Sequence, residues 1–99
     1  MFVALSRFTV ANGMEEDVRQ AFLARPHLVD DVSGFTRMEV LRPQGRPEEF
    51  WLMTWWQDET CYDTWHKSHA YHDSHSGIPK GLKLIPGATE IRRFEQVAR

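Results

Sequence analysis

The segment that decides the fold is FWLMTWW at residues 50–56, which has the pattern of a β-strand. Successive strand residues point to opposite faces of a sheet, and here both faces are mostly apolar. One face carries Phe50, Leu52, Thr54 and Trp56, and the other carries Trp51, Met53 and Trp55. Helices from a chain of 99 residues suffice to cover one face of a sheet. The second apolar face therefore predicts a partner sheet, supplied by another copy in a homodimer.

Three more segments have strand patterns, at residues 2–10, 34–41 and 90–97. Helical patterns lie between the first and second strands and between the third and fourth. The resulting order is β-α-β-β-α-β, which is the α+β ferredoxin-like plan. A chain of this length forms one domain, so we assign residues 1–99 to a single unit.

Local signals set the predicted ends of the two helices. Asn12 and Glu15 resemble a capping pair at the start of the first helix, which Pro26 ends near residues 24–25. Asp58 is expected to cap a second helix that runs to about His75. Residues 76–87, rich in Pro and Gly, are expected to form a loop.

Bulk properties exclude several classes of function. The net charge is −2 and the basic residues are dispersed, which disfavours a nucleic-acid or membrane surface. No apolar run approaches the ~20 residues that a membrane-spanning helix requires. The single cysteine, Cys61, excludes an internal disulfide and is typical of a reducing compartment. The N-terminus lacks the features of a secretory signal, so we expect a cytoplasmic protein.

The second predicted helix carries an unusual stripe of side chains. At about 100° per residue, one third of its circumference holds an indole, a hydroxyl, a thiol and three imidazoles. These residues are Cys61, Trp65, Ser68, His69, His72 and His75. A flat ligand would fit between this stripe and the sheet, and a neutral imidazole is able to ligate a metal in the plane of that ligand.

The same residues have plainer interpretations. His75 at a helix end complements the helix dipole, Trp65 fills a core, and His66 on the other side of the helix is solvated. The histidines at positions 66, 69, 72 and 75 also form adjacent pairs that suit zinc, nickel or copper. Cys61 is interpreted as a buried structural thiol, because no Cys–His pair for nucleophilic catalysis is demonstrable.

The chain resembles the antibiotic biosynthesis monooxygenase superfamily over nearly its whole length. The features that carry the resemblance are the strand FVALSRFTV with NG and an acidic helix start, SGF, TWWQDET, and the segment 65–75. The resemblance implies a ferredoxin-like domain that pairs sheet to sheet into a dimeric α/β-barrel.

Within that superfamily the chain is most similar to the iron-regulated haem-degrading monooxygenases. Trp65, Ser68, Tyr71 and His75 match the spacing of a Trp, a Ser, an aromatic residue and a His in those enzymes. The resemblance implies that His75 is the proximal ligand of the haem iron and that Trp65 presses on the porphyrin and ruffles it. It also implies cleavage of haem by O₂ with an external electron donor, such as a reductase, and release of iron.

Other residues receive roles from the same resemblance. Ser6 stands where these enzymes usually have an Asn, and its hydroxyl offers fewer hydrogen bonds than an amide. Ser6 is expected to donate to a ligand of the haem iron. Arg25 is expected to pair with a propionate or, equally, to be a solvated arginine at a helix end. Ser68 and His72 are expected to line the haem site, where His72 is the alternative ligand to His75.

Two other functions stay open. A cofactor-independent monooxygenase acting on a polycyclic aromatic, such as a polyketide, would use the same cavity with Trp65, His72 and Ser6 as orienting groups and no metal. A protein that carries or senses haem without cleaving it is the other candidate. Ser6 in place of Asn favours this carrier.

Overall fold

The structure is a computed structural model that describes residues 1–25, 28–68 and 78–99, with the backbone alone for Leu28. A four-stranded antiparallel sheet has the strand order β2-β3-β1-β4. The elements are β1 (Phe2–Thr9), α1 (Glu15–Leu23), a 3₁₀ turn (Leu28–Asp31), β2 (Phe35–Leu41), β3 (Glu49–Trp56), α2 (Glu59–His66) and β4 (Glu90–Glu95). This order confirms the predicted α+β ferredoxin-like fold.

Both described helices cover the same face of the sheet, which we call the helix-facing side. One core cluster joins Tyr62 and Trp65 of α2 to Phe2, Ala4 and Trp56, and its indole at Trp56 is fully buried. A second cluster joins Val18 of α1 to Val10 and Phe50. Burial of these apolar side chains is what holds each helix against the strands.

The opposite face of the sheet has an apolar centre, as the alternation in β3 predicts, and charged side chains on the neighbouring strands. Trp51, Met53 and Trp55 are half-buried there, and Val3 and Leu5 of β1 are buried beneath longer neighbours. Arginines lie over the rings: the Cζ atom of Arg37 is 4.0 Å from the centroid of Trp55, and that of Arg7 is 5.6 Å from the centroid of Trp51. Guanidinium stacking of this kind shields part of the aromatic surface from water.

The predicted cap of α1 is wrong. Met14 occupies the N-cap position and makes no capping hydrogen bond through its side chain. The side-chain amide of Asn12 instead donates to the carbonyl oxygen of Gly81 at 2.7 Å, which ties the turn after β1 to the distant loop. A partner 69 residues away in sequence has therefore replaced the local one.

The predicted cap of α2 is confirmed, but the predicted length of this helix is wrong. A carboxylate oxygen of Asp58 accepts from the backbone N–H of Cys61 at 2.9 Å. The helix ends at His66 with Lys67 as its C-cap, before its predicted end at about His75, and residues 69–75 of that prediction lie outside the described residues. The Ser68 hydroxyl donates to the Trp65 carbonyl at 2.6 Å, and the Ser68 N–H donates to the same oxygen at 2.9 Å. Such local bonds compete with continuation of the helix.

The segment 78–87 is a loop, as predicted, and its second half is fixed to the end of β1. Leu84 forms an isolated bridge with Val10, and the N–H of Ile85 donates to the Thr9 carbonyl at 2.9 Å. Leu82 packs against the core cluster beneath α1. Within the described residues, no helix is both long and apolar enough to cross a membrane.

Candidate functional site

The candidate site is a strip across the helix-facing side, at the border of the core cluster beneath α1, against which Val40 and Leu52 pack. Directly paired residues of all four strands form it, and none of them is fully buried. We call it the Ser6 row, and it consists of Val40, Leu52, Ser6 and Ile91. Three apolar side chains and one hydroxyl give a flat, mainly apolar floor with a single hydrogen-bonding group, which is the usual character of a small-molecule site.

Ser6 lies at the centre of this floor because of its register. Its neighbours on the same face of β1 are Ala4, which belongs to the cluster beneath α2, and Phe8, which packs against the cluster beneath α1. Across the sheet it pairs with Leu52 on one side and Ile91 on the other. The hydroxyl is half-buried among apolar neighbours, where a hydrogen bond is stronger than in water.

Sequence reasoning missed Ile91, which is 51% exposed on the helix-facing side of β4. It is the apolar member of an otherwise charged stripe, because Arg93 and Glu95 follow it on the same face. That break in the polar pattern of an edge strand was the available signal. Placing Ile91 beside Ser6 also requires the register between β1 and β4, which the pattern within one strand does not supply.

Trp65 lies in the core cluster on one side of the strip. It is buried in the cluster that contains Ala4, and its ring centroid lies 5.3 Å from that of Trp56 and 6.2 Å from that of Tyr62. The interpretation of Trp65 as a core residue is therefore confirmed. A contact with a ligand on the Ser6 row is compatible with that position and stays a prediction.

Ser68 and Arg25 both have partners within the protein. The Ser68 hydroxyl bonds to the Trp65 carbonyl and so helps to end α2. A guanidinium nitrogen of Arg25 lies 3.6 Å from a carboxylate oxygen of Asp30, which links the end of α1 to the following 3₁₀ turn. The Arg25 side chain is 21% exposed, so it is more enclosed than a solvated helix-end arginine. Their predicted contacts with haem stay predictions.

Three histidines of the predicted stripe, His69, His72 and His75, lie outside the described residues. His66 is described. It is half-buried with its ring 5.5 Å from that of Tyr62, whereas the sequence predicted a solvated side chain. In the described ranges, no group of three or more His, Cys, Asp or Glu side chains is placed to hold a metal ion. Neither the role of His75 nor the rival histidine-pair metal site is tested by this geometry.

Cys61 has the character of a structural thiol. The hydrogen bond to Asp58 and partial burial both raise the pKa of Cys61, which keeps the sulfur protonated. Its side chain packs where Gly34, at φ +83°, brings the start of β2 against α2, and a Cβ at residue 34 would collide with the sulfur. A thiol with a raised pKa is a poor nucleophile, which agrees with the absence of a Cys–His motif.

Known proteins of similar sequence and structure share this architecture. Residues 1–77 match the antibiotic biosynthesis monooxygenase family. The haem-degrading monooxygenase HmoA of Bacillus subtilis is 31% identical over 99 residues, covering 95% of this chain and 89% of HmoA. A staphylobilin-producing haem oxygenase of Staphylococcus haemolyticus is 29% identical over 82 residues, covering 81% of this chain and 78% of that enzyme.

A solved structure extends the likeness to the fold. The haem-degrader MhuD of Mycobacterium tuberculosis, with two haems bound in its active site, has a TM-score of 0.80 to this chain at 22% identity. The comparison covers 100% of this chain and 98% of MhuD, so the two proteins share one fold. The family match, the relatives and the shared fold confirm the resemblance seen in the sequence. The chain belongs to the antibiotic biosynthesis monooxygenase family.

Proposed function

We propose that the protein is a haem-degrading monooxygenase that binds haem on the Ser6 row. The observation that carries the proposal is the position of this row. It is a mainly apolar strip at the border of the two helix-covered clusters, centred on the Ser6 hydroxyl and ending at the exposed Ile91, with Trp65 in the cluster on one side. Relatives that align over most of their own length and of this chain are named as haem-degrading enzymes, which supports haem as the ligand.

The residues divide the work between binding and orientation. His75 is proposed as the axial ligand of the haem iron, with His72 as the alternative ligand. Trp65 is proposed to press on one edge of the porphyrin. Arg25 is proposed to pair with a propionate, which requires it to turn from Asp30 or to serve both carboxylates.

Haem is the substrate in this proposal and also supplies the oxidative chemistry when O₂ and an external electron donor are present. The electrons come from that donor, the oxygen atoms inserted into the ring come from O₂, and the iron leaves when the ring opens. Ser6 directs its hydroxyl proton toward the face of the bound ring that is opposite the proposed histidine ligand. The apolar partners of Ser6, namely Leu52 and Ile91, exclude water from that side.

We propose in addition that two copies pair through the sheet face opposite the helices. The half-buried rings of Trp51 and Trp55 and the thioether of Met53 form an apolar band there, and Phe94 of β4 is 40% exposed beside Val3. Bands of this kind on a small domain mark association surfaces. In the homodimer this surface is buried while both helix-facing sides stay free to bind haem.

A second candidate is a protein that binds haem without cleaving it, and Ser6 is the residue that favours it. A serine reaches less far than the family's asparagine and has one donor in place of two. Haem binding needs only the apolar floor and an axial ligand, whereas cleavage also needs a well-placed donor that faces the ring. A carrier of this kind would keep every haem contact proposed above except the hydrogen bond from Ser6 that cleavage requires.

The testing experiment is a haem titration of the purified protein followed by ascorbate in air, with catalase present to remove free peroxide. We expect a saturable Soret band, its loss after reductant is added, and iron that a ferrous chelator captures in equal amount. His75→Ala is the test variant and His66→Ala is the matched control, because both remove one imidazole from the same region. Loss of saturable binding in His75→Ala alone supports the proposal.

Other outcomes separate the alternatives. A stable Soret band that survives reductant and O₂ in the wild type contradicts degradation and supports the carrier. The absence of any saturable band contradicts both haem functions and leaves an enzyme that acts on an aromatic substrate. Equal loss of binding in His75→Ala and His72→Ala would show that the ligand assignment is not unique.

A further inference from the structure

Arg93 of β4 joins the sheet to helix α2. It lies on the helix-facing side, directly opposite Ala4 of β1. One guanidinium nitrogen is 3.0 Å from a carboxylate oxygen of Glu59 and 2.7 Å from one of Asp63. These two acids are four residues apart, so they lie on one face of the first two turns of α2. The guanidinium of Arg93 on the sheet therefore binds two successive turns of α2.

A third contact connects Arg93 to the aromatic core cluster beside the candidate site. Its guanidinium carbon lies 5.3 Å from the centre of the Tyr62 ring, which belongs to the same turns of α2. The ring of Tyr62 packs in turn against Trp65 at 6.2 Å and Trp56 at 5.7 Å. A continuous chain of packed side chains thus leads from Arg93 to Trp65.

This linkage differs from the other ion pairs in the described parts of the chain. Arg19 pairs with Glu16 within α1, and Arg92 pairs with Glu90 within β4. Among the described ion pairs, those of Arg93 are the ones that connect a helix to the sheet. The hydrogen bonds to Asp63 and Glu59 raise the pKa of Arg93 further, so the guanidinium keeps its charge at every working pH.

We propose that Arg93 is a positioning residue, which fixes α2 on the sheet so that Trp65 is held at the edge of the Ser6 row and the bound substrate takes one pose. The proposal rests on the proposed function for the identity of the substrate. The link between Arg93 and the position of α2 is independent of haem. The ion pairs add to the core packing of Trp65, because α2 is only eight residues long and ends one residue beyond it. A short helix depends on tertiary contacts for its order.

The test compares Arg93→Gln with Arg19→Gln, which removes an exposed helix ion pair far from α2, and with Arg93→Lys. In the ligand-free protein, amide hydrogen exchange of residues 61–67 reports the order of α2 directly. We expect exchange there to rise about three- to tenfold in Arg93→Gln, as the loss of a partly exposed ion-pair network predicts. Arg93→Lys should recover part of the protection, because an ammonium contacts the acids as a point charge. Arg19→Gln should leave α2 unchanged.

The second readout is the rate of haem degradation at saturating haem. If Arg93 positions the substrate through Trp65, this rate falls severalfold in Arg93→Gln while the dissociation constant for haem changes less. Unchanged α2 exchange in Arg93→Gln would overturn the link to the helix. Faster exchange with an unchanged rate at saturation would reduce Arg93 to a structural role and overturn the positioning proposal.

Two safeguards keep the outcomes distinct. If wild-type protein binds no haem, the proposed function fails, whereas the exchange data still decide whether Arg93 holds α2. If Arg93→Gln does not fold, the double substitution Glu59→Gln with Asp63→Asn removes the same ion pairs from the helix side. Protection of residues 61–67 that survives this double substitution would also overturn the proposal.

Discussion

The two faces of the sheet are built from the same alternating strands but are completed in different ways. On the helix-facing side, Trp56 is fully buried beneath α2, and its ring contacts those of Phe35, Tyr62 and Trp65. On the other side the adjacent Trp55 is half-buried beneath the guanidinium of Arg37. The chain's own helices cover the core clusters of the first face, and in the described residues Ser6 and Ile91 of the row stay partly accessible. The second face lacks such cover in the described structure, which suits a partner protein better than a small ligand.

The largest expected effect separates the two neighbouring tryptophans. Trp56→Ala removes a fully buried indole and should lower the free energy of unfolding by about 3–5 kcal/mol. Trp55→Ala should lower it by about 1 kcal/mol at protein concentrations too low for association, because its ring is already partly wet. Urea unfolding at several protein concentrations measures both. Equal effects at the lowest concentration would contradict the contrast between the faces.

The next effect concerns the face opposite the helices. Met53→Lys places a charge at the centre of the apolar band, where Met53 pairs with Leu5 and Glu39. We expect the dimer dissociation constant to rise about tenfold or more, because burying an ammonium group in the band costs more free energy than the neighbouring Glu39 carboxylate returns. Analytical ultracentrifugation of the variant and the wild type gives the result. A dimer of unchanged affinity would remove this face as the association surface.

A smaller effect on activity is expected at Ser6. Ser6→Ala removes the hydroxyl donor of the Ser6 row and should slow haem degradation about fivefold, which corresponds to the loss of one ordinary hydrogen bond. Ser6→Asn introduces the longer side-chain amide and should increase the rate of haem degradation. The rate of Soret decay with ascorbate, at saturating haem, tests both variants. Identical rates in all three proteins would exclude a role for this side chain in the reaction.

The smallest expected effect is the pH dependence of the α2 cap. The backbone N–H of Cys61 lowers the pKa of Asp58 below the ordinary value of an aspartate in the folded protein. The stabilisation that depends on the charge is therefore fully present above that value and is lost as pH falls through the lower folded value. Asp58→Asn keeps a capping oxygen without the charge. The difference in thermal midpoint between the two proteins should disappear at low pH, and a difference that grows on acidification would contradict the assignment.

The strands could be predicted because their information is local. The alternation at residues 2–10 and 50–56 placed β1 and β3 within one residue of their ends. Asp58 was equally accessible, since a cap and its N–H partner lie three residues apart. These features depend on neighbours that a short stretch of sequence contains.

The parts that could not be predicted depend on distant partners or on competition between bonds. The side-chain amide of Asn12 donates to the carbonyl of Gly81 and does not cap α1. Periodicity continued α2 to about His75, whereas the Ser68 hydroxyl ends it at His66. Ile91 joined the site only through the pairing of β4 with β1. One of the four residues of the candidate floor was therefore not predictable until the register was known.

The most direct test of the central claim, that haem lies on the Ser6 row, is a haem titration of Ile91→Asp beside Val97→Asp. Both variants add one carboxylate at an exposed apolar position of the same C-terminal region, at 51% and 85% exposure. Only Ile91 belongs to the row. The account predicts that Ile91→Asp weakens haem binding at least about tenfold, through lost apolar contact and repulsion of the propionates, while Val97→Asp binds as the wild type does. Equal affinities in the two variants would contradict it.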